Sequence, residues 1–505
     1  MRPRVVRVRA QLVLNRVLRQ LTLFSAVGIL APLIPSFAVA QLVTPRTVPV
    51  FQDEQFAIYP SSRAGFGGAA IALDDTLADP FVNPAKAMRL RGLTITTAPY
   101  SHGISGSRGG GRTLPIGIMA GAGDWAGSLL VAMQQLDRAG PIWNRPSSER
   151  TASNQYVTGS LAHLVAPGVS VGVSGFHADL AAVDGVDLLY AGSDRIDQSG
   201  SLTDLRVGAT KEWEPGHVLE MLLLRNTTNM RHDVHFTTFT WLPATQTSTM
   251  AQRQETNLDQ TNIWGVHTQY MRPIGTEGWR IGALATVNRL DHPKIPNYTL
   301  QNLPRDPGTT NAFNWGVGAA RSTGEFRFAV DAIIEPMTSN TYADAATTVT
   351  RPDGSTIPAG QKTVENHFQF HNSKARIGLG RTWGIDTASH GSFSADVGLA
   401  AYSISYDLLQ TNNITRVLRS QHENWVEAGP TFGIRYRSRD LEVSYSFRTS
   451  CGTGGCDLLP SGDRLSVVSP AAASTGGIIA APSSPLFLQS GNETSHHFMV
   501  SVPIR

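Results

Sequence analysis

The chain contains 505 residues, of which 16% are charged, and its formal net charge is +3 at pH 7. Residues 1–40 hold six arginines and no acidic residue, so the rest of the chain has a net charge of −3. This balance excludes an extended basic surface and predicts no nucleic-acid partner. Beyond residue 40 no run of 18 or more apolar residues occurs, which excludes a helical membrane protein.

Residues 1–40 have the pattern of a secretory signal peptide. An arginine-rich start is followed by an apolar run from Leu21 to Phe37 and by the small-residue site Ala38-Val39-Ala40. A transmembrane anchor is the alternative interpretation, but the run is short and contains two prolines. We therefore predict cleavage between Ala40 and Gln41 and export of the remaining chain.

Residues 41–91 follow the leader and favour neither an amphipathic helix nor a strand. Glycine allows backbones to pack closely, and a proline restricts the residue before it to extended conformations. A compact, irregular segment folded against a larger body is therefore expected, with a glycine-rich linker as the alternative. Its distinctive residues are Gly67, Gly68, Asp74, Asp75, Asn83, Pro84 and Ala85.

This Gly-Gly-Ala, Asp-Asp and Asn-Pro-Ala series resembles the plug of the FadL family of outer-membrane transporters for hydrophobic compounds. It is also similar to the PorV branch of that superfamily, which serves protein secretion. The resemblance is clear only over residues 61–85. It implies an N-terminal plug (41–91) inside a membrane barrel (92–505) of about fourteen strands.

Downstream of residue 91, apolar and polar residues alternate with a period of two, as in strands with two different faces. In the segment 441–447, for example, Leu441, Val443, Tyr445 and Phe447 share one face. The pattern predicts sixteen strands, at 92–104, 114–123, 126–137, 153–165, 168–180, 201–213, 216–227, 260–272, 277–290, 311–321, 324–335, 365–382, 391–406, 422–437, 440–449 and 493–504.

The predicted connections alternate in length. Turns after even-numbered strands are short, as at 123–125, 166–167 and 214–215. Loops after odd-numbered strands are long and polar, with examples at 181–200, 228–259, 291–310, 336–364 and 450–492. Short periplasmic turns alternating with long outer loops are typical of bacterial outer-membrane barrels, so both termini are predicted in the periplasm of a Gram-negative cell.

The predicted fold is all-β: a transmembrane antiparallel β-barrel of about 14–16 strands with an N-terminal plug inside the lumen. A sheet that spans lipid must close on itself, because every backbone polar group needs an internal partner. A barrel of this size is wide enough for an aqueous channel unless something fills it. We therefore predict that the segment 41–91 fills the bore of the barrel.

Charged residues on the predicted lumen face are candidates for holding the plug. Asp74 and Asp75 are expected to pair with lumen arginines, either as plain anchors or as a latch that opens on ligand binding. Capping of a turn by the two aspartates is the alternative. The candidate lumen charges are Arg206, Arg327, Asp331, Arg435, Arg437, Glu442 and Arg448.

No catalytic constellation stands out, and no enzyme activity, cofactor or metal is predicted. Gly172-Val173-Ser174-Gly175 lacks the final glycine of a nucleophile elbow. Cys451 and Cys456 are the chain's two cysteines, and in an oxidising compartment we expect a small disulfide loop. A metal site there would need two further ligands, and none is spaced nearby.

The pattern and the resemblance together favour passive uptake of a hydrophobic or amphipathic small molecule, with outer-membrane lipid and this ligand as partners. The loops 228–259, 336–364 and 450–492 are expected to capture the ligand. The alternatives are a PorV-like barrel that binds other surface or secreted proteins, and a general porin that selects by size.

Overall fold

The computed structural model describes residues 54–104, 110–137, 151–183, 194–242, 247–275, 277–293, 307–345, 347–384, 391–450 and 493–504. The predicted signal peptide, its cleavage site at Ala40 and Gln41, and the predicted Cys451–Cys456 disulfide lie outside these residues.

Almost all described residues beyond position 91 are in antiparallel strands. In chain order these are β1 (Gly92–Thr97), β2 (Tyr100–Ile104), β3 (Gly110–Ala122), β4 (Trp125–Asp137), β5 (Thr151–Ala166), β6 (Val169–Leu180), β7 (Arg195–Glu214), β8 (His217–Leu242), β9 (Thr247–Ile274), β10 (Trp279–His292), β11 (Gly308–Ser322), β12 (Phe326–Asp344), β13 (Val349–Thr350), β14 (Thr356–Ile357), β15 (Lys362–Gly384), β16 (Ser392–Asn412), β17 (Val417–Arg437), β18 (Glu442–Ser450) and β19 (Glu493–Ile504).

One sheet contains every strand except the β13–β14 hairpin, and it closes on itself. Both β1 and β2 pair with β3 on one side and β19 on the other, so they form a single strand interrupted before Tyr100. In the described part of the chain the barrel therefore has sixteen strands. The predicted all-β barrel and its sixteen strands are confirmed. The resemblance implied about fourteen strands, which is fewer than the structure has.

The two rims of the barrel differ as the loop pattern predicts. We call the end at Gly92 and Ile504 the lower rim, and here tight turns at 123–124, 167–168 and 215–216 join the strands. At the opposite, upper rim most connections are longer. Two of them are not: β8 and β9 are joined by 243–246, and β16 and β17 by 413–416.

The predicted long loops 228–259 and 336–364 are wrong in their extent. Strands β8 and β9 have 26 and 28 residues and pair along their whole upper length, from Val218 opposite Met271 to Leu242 opposite Thr247. Likewise β12 continues to Asp344, and β13 and β14 occupy part of the second range. Since about 9–11 residues suffice to cross a bilayer, these strands extend well beyond one. Polar residues in the extension do not prevent strand pairing, which is why the sequence pattern missed it.

The outward face of the barrel carries a band of exposed apolar side chains. Leu114, Val131, Leu205, Leu223 and Val317 are each at least half exposed. Below the band, at the lower rim, lie exposed aromatic residues, namely Trp125, Trp213, Trp279, Phe326, Trp383 and Phe393. An apolar band with an aromatic girdle is the surface that outer-membrane barrels present to lipid. Among the described residues no helix is both long and apolar enough to cross a membrane.

Residues 54–91, which we call the N-terminal segment, precede the barrel strands. They contain a 3-10 helix (Glu54–Phe56), a short α-helix (Asp79–Val82) and a second 3-10 helix (Pro84–Arg89). Between them the chain is irregular, as expected from its glycines and its proline-restricted corner. Most of its residues are buried against the barrel.

Candidate functional site: contacts between the N-terminal segment and the barrel

Inward-facing glycines of the barrel strands make room for the N-terminal segment. A Cβ atom added at any of these glycines would lie within about 3 Å of the segment's atoms. They are distributed over eight strands: Gly121, Gly172, Gly208, Gly282, Gly316, Gly318, Gly378, Gly398 and Gly433. The segment therefore touches the inward face of the barrel through strands from β3 to β17. Sequence reasoning missed these glycines, although a glycine inside an alternating strand signals close approach by another backbone.

Residues 65–71 of the segment are held mainly through their backbone groups, which bond to Thr431, Asp331 and Arg376 of the barrel. The backbone nitrogen of Gly67, where φ is +67°, donates to Thr431 Oγ1 at 2.8 Å. Asp331 Oδ2 accepts from the backbone nitrogens of Ala70 (2.7 Å) and Ile71 (3.2 Å). Asp331 is 1% exposed, so both of its bonds are shielded from water. It is one of the predicted lumen charges.

The Asn83-Pro84 corner packs against β6 to β8. Asn83 is fully buried, and its side-chain oxygen accepts from the backbone nitrogen of Ala85 at 3.2 Å, which caps the second 3-10 helix. Arg206 on β7 donates to the carbonyls of Phe81 (3.0 Å) and Val82 (3.1 Å), the last residues of the short α-helix. A cation suits this end of a helix, where carbonyl groups lack partners.

Residues 74–89 bind the barrel through ion pairs. Asp74 bridges Arg89 of the segment (2.6 Å) and Arg280 on β10 (2.9 Å). Lys86 lies 2.6 Å from Glu220 on β8 and 3.3 Å from Asp79 of the segment. The Lys86 side chain is 6% exposed, and its two acidic partners are at most 4% exposed. Each buried charge thus has an opposite charge within contact distance, as burial requires.

The two predicted aspartates have different roles. Asp74 pairs with Arg280, which was not among the predicted lumen arginines. Asp75 instead caps a turn inside the segment: it accepts from Ser61 Oγ (2.9 Å) and from the backbone nitrogens of Ser62 and Leu77. A period-two pattern cannot identify Arg280 as the partner, because the pairing depends on how the segment folds across the lumen face.

The ion pairs shift the pKa values of the segment's own groups. Burial alone would raise the pKa of Asp74, but the positive charges of Arg89, Lys86 and Arg280 outweigh it and leave that pKa below its ordinary value. Burial would lower the pKa of Lys86, but Asp79 and Glu220 raise it above its ordinary value. Both groups are therefore held in their charged forms at neutral pH.

The remaining predicted lumen charges face inward without contacting the aspartates. Arg327 pairs with Asp396 at 2.8 Å, and its guanidinium lies over the ring of Phe66 of the segment, 5.3 Å from the centroid. Near the lower rim, Arg435 and Arg437 approach Glu442 at 3.7 and 3.5 Å. Arg448 stands opposite Thr431 in the β17–β18 ladder.

One side of the barrel is packed with apolar residues of the segment. Phe56, Ile58, Phe81, Met88 and Leu90 form a buried cluster with side chains of β3 to β8. The barrel members of this cluster include Met119, Leu130, Tyr156, Phe176, Leu202 and Met230. This apolar cluster and the ion pairs together hold the segment against β3 to β10.

The opposite side carries an aromatic wall, by which we mean the inward-facing Phe368, Phe370, Tyr406 and Trp425 on β15, β16 and β17. All four are at most 6% exposed. A separate, open groove of about 640 Å³ crosses the outward face between β10 and β17, and its lining includes Trp315, Val317, Ile334 and Val426, each at least half exposed.

Comparison with solved structures returns matches of low similarity. A Pseudomonas aeruginosa FadL homologue is 10% identical, with a TM-score of 0.36 over 93% of this chain and 100% of that one. The ferric-catecholate import receptor Fiu of E. coli K12 is 10% identical, with a TM-score of 0.36 over 82% and 81%. A bacterial polysaccharide outer-membrane secretin is 7% identical, with a TM-score of 0.37 over 82% and 99%. No protein-family model and no curated protein matches the chain.

Proposed function

We propose that this protein is an outer-membrane channel for passive uptake of hydrophobic or amphipathic small molecules, and that the N-terminal segment is its plug. The observation that supports this most directly is the set of inward glycines on eight strands, each in close approach to residues 65–90. A segment in contact with strands all round a closed barrel obstructs the bore. Permanent obstruction would leave the barrel without a passage, so the plug must shift for transport.

The lining of the barrel favours apolar solutes over ions. The aromatic wall presents mostly apolar surface, and Lys374 near it is paired with Glu335 at 3.0 Å. An apolar solute gains by leaving water for such a surface, whereas an ion would lose its hydration. Signal-peptide cleavage after Ala40, periplasmic termini and export to the outer membrane belong to the same proposal.

Conductance in planar bilayers tests the plug. The full mature chain should conduct little, and a variant lacking 41–91 should form open pores. A variant lacking only 41–53 is the matched control, because it retains every described contact of residues 54–91 and should conduct like the full chain. High conductance of the full chain would contradict the plug.

Uptake into liposomes tests the transported class. The full chain should admit apolar and amphipathic solutes faster than sugars of similar size. Equal uptake of both would indicate a general porin. Uptake of none would contradict transport and favour the PorV-like role of binding other surface or secreted proteins.

A further inference from the structure

A tryptophan flanked by two arginines stands out on the outward face of the barrel. Trp264 on β9 lies opposite Arg225 on β8 and opposite Arg289 on β10 in the strand ladders. Trp264 is 63% exposed, and the guanidinium carbon of Arg225 lies 4.7 Å from the centroid of its ring. We call these three side chains the Arg-Trp-Arg patch.

The patch lies at the upper edge of the apolar band. Directly below it on the same three strands are the exposed side chains of Leu223, Val266 and Val287. Trp264 is ten residues from Ile274 at the lower end of β9, which is about the length that a tilted strand needs to cross a bilayer. Tryptophan and arginine side chains at this depth lie among lipid headgroups, above the acyl chains.

The two arginines of the patch have no carboxylate partner among the described residues. Arg225 donates from Nη2 to the side-chain oxygen of Asn262 at 3.0 Å, and Arg289 has no hydrogen bond or ion pair within the described part of the chain. Asp291, two positions further along β10, is not in ion-pair contact with either arginine. The patch and this carboxylate together keep one positive charge in excess.

Other outward arginines near the upper rim are neutralised by the barrel itself. Arg112 pairs with Asp137 at 3.3 Å, and Arg231 pairs with Asp233 at 2.8 Å. The Arg-Trp-Arg patch differs from them because its positive charge is left for a partner outside the described chain. An anion at the depth of the headgroups is such a partner.

We propose that the Arg-Trp-Arg patch binds the phosphate group of a membrane lipid in the leaflet at the upper rim. The planar guanidinium of arginine presents its donors in a fork that matches phosphate oxygens. The strands that carry the two arginines lie on either side of β9, roughly 10 Å apart, so both side chains can reach one phosphate above the ring of Trp264.

The apolar band below the patch favours a lipid over a soluble phosphate. Acyl chains attached to the bound phosphate would lie along Leu223, Val266 and Val287 and be removed from water there. This site is on the lipid face of the barrel, so the inference goes beyond the proposed function and depends on neither the plug nor transport.

Binding of three probes to the full mature chain in neutral detergent micelles tests the proposal. Dioctanoyl phosphatidic acid has acyl chains and a phosphate, dioctanoylglycerol has the chains alone, and inorganic phosphate is the anion alone. We expect phosphatidic acid to bind about thirtyfold more tightly than dioctanoylglycerol, as two arginines near a membrane surface allow. Inorganic phosphate should bind too weakly to measure, and an affinity equal to that of phosphatidic acid would overturn the assignment to a lipid.

Substitution assigns this preference to the patch. The double variant Arg225→Gln with Arg289→Gln should lose the preference and keep its affinity for dioctanoylglycerol. Arg289→Gln alone should reduce the preference about fivefold, and it tests the site even if the double variant fails to fold, because Arg289 forms no described hydrogen bond or ion pair. Arg112→Gln with Arg231→Gln is the matched control, which removes two paired outward charges and should keep the preference.

Three further results would overturn the inference: equal affinity for phosphatidic acid and dioctanoylglycerol, a preference that survives the loss of both patch arginines, or a preference lost equally in the control variant. None of them bears on conductance or on uptake into liposomes. Failure of the proposed channel in those assays would likewise leave the lipid site standing, so the two proposals fail separately.

Discussion

Two neighbouring stretches of the N-terminal segment are attached to the barrel by different kinds of interaction. Residues 65–71 lie against glycines of β10 to β17, and most of their polar contacts are made by their backbone groups. Residues 74–89 rely on ion pairs, with Asp74, Lys86 and Arg89 facing charges on β7, β8 and β10. The first attachment depends on shape, and the second depends on charge.

For the proposed plug, this difference predicts which part moves first. The glycine contacts do not respond to salt or pH and are lost only when the surfaces separate, although Asp331 and Arg376 add two charged side chains to this stretch. Partly exposed ion pairs weaken with salt and with protonation, so residues 74–89 form the responsive attachment. A moving plug would release this charged stretch first and pivot on the glycine contacts. Four substitutions test this division.

Removal of the Lys86 charge should have the largest effect. Lys86→Met leaves Glu220 buried without its cation, whereas Asp79 keeps Arg63 at 3.0 Å, and the change should cost about 3 kcal/mol of local stability. Hydrogen exchange of residues 79–90 should rise steeply while residues 65–71 keep their protection. The double variant with Glu220→Gln should recover part of the loss. Unchanged exchange in Lys86→Met would contradict the importance of the charged attachment.

Filling one glycine site should detach the other stretch. In Gly398→Val the new Cβ would overlap the backbone of Phe66 and Gly67, an overpacking cost of about 1–3 kcal/mol. Protease cleavage and hydrogen exchange should then increase at residues 65–71 but not at 79–90. Gly175→Val is the control, since its added Cβ meets only the Leu205 side chain at an ordinary 3.5 Å. Equal effects on both stretches would show that they release together.

Neutralising Asp331 should have a smaller effect on the same stretch. Asp331→Asn keeps an oxygen for the nitrogens of Ala70 and Ile71 but removes its charge, which should weaken these bonds by about 1 kcal/mol in total. Only the exchange rates of those two amides should rise measurably. Asp291→Asn, on an exposed outward position of β10, is the matched control. If the exchange rates of other amides of the segment rise equally, Asp331 stabilises more of the segment than its contacts indicate.

Acid should loosen the charged stretch by the smallest amount. The pKa of Asp74 is lower in the folded protein than its unfolded value of about 3.9, so its contribution is complete above that value and is lost as the pH falls through the folded pKa. Because Asp74 is partly exposed, its ion pairs contribute at most about 1 kcal/mol. Protease sensitivity of residues 74–89 should rise below about pH 4, and Asp74→Asn should remove this pH dependence. If Asp74→Asn leaves the pH dependence of protease sensitivity unchanged, another group causes that dependence.

Sequence reasoning located the strands better than the contacts of the site. All sixteen predicted strands correspond to observed ones, because a face in contact with lipid and a face in contact with the lumen impose alternation on every crossing. The upper ends were missed at β8 and β9, where residues 228–242 and 247–259 are mostly polar and do not alternate regularly. Of the predicted lumen charges, Asp331 and Arg206 contact the N-terminal segment through hydrogen bonds, whereas Arg280 and Glu220, which form ion pairs with it, were not predicted.

The sequence by itself determined the closed all-β architecture, since the alternation repeats along each strand and needs no knowledge of its neighbours. Only the tertiary structure decided which strands the N-terminal segment touches and which arginine of the barrel faces Asp74. Those features depend on residues hundreds of positions apart meeting across the barrel, as Gly67 and Thr431 do. A local sequence pattern carries no information about such long-range contacts, because packing and charge together fix where the N-terminal segment lies against the barrel strands.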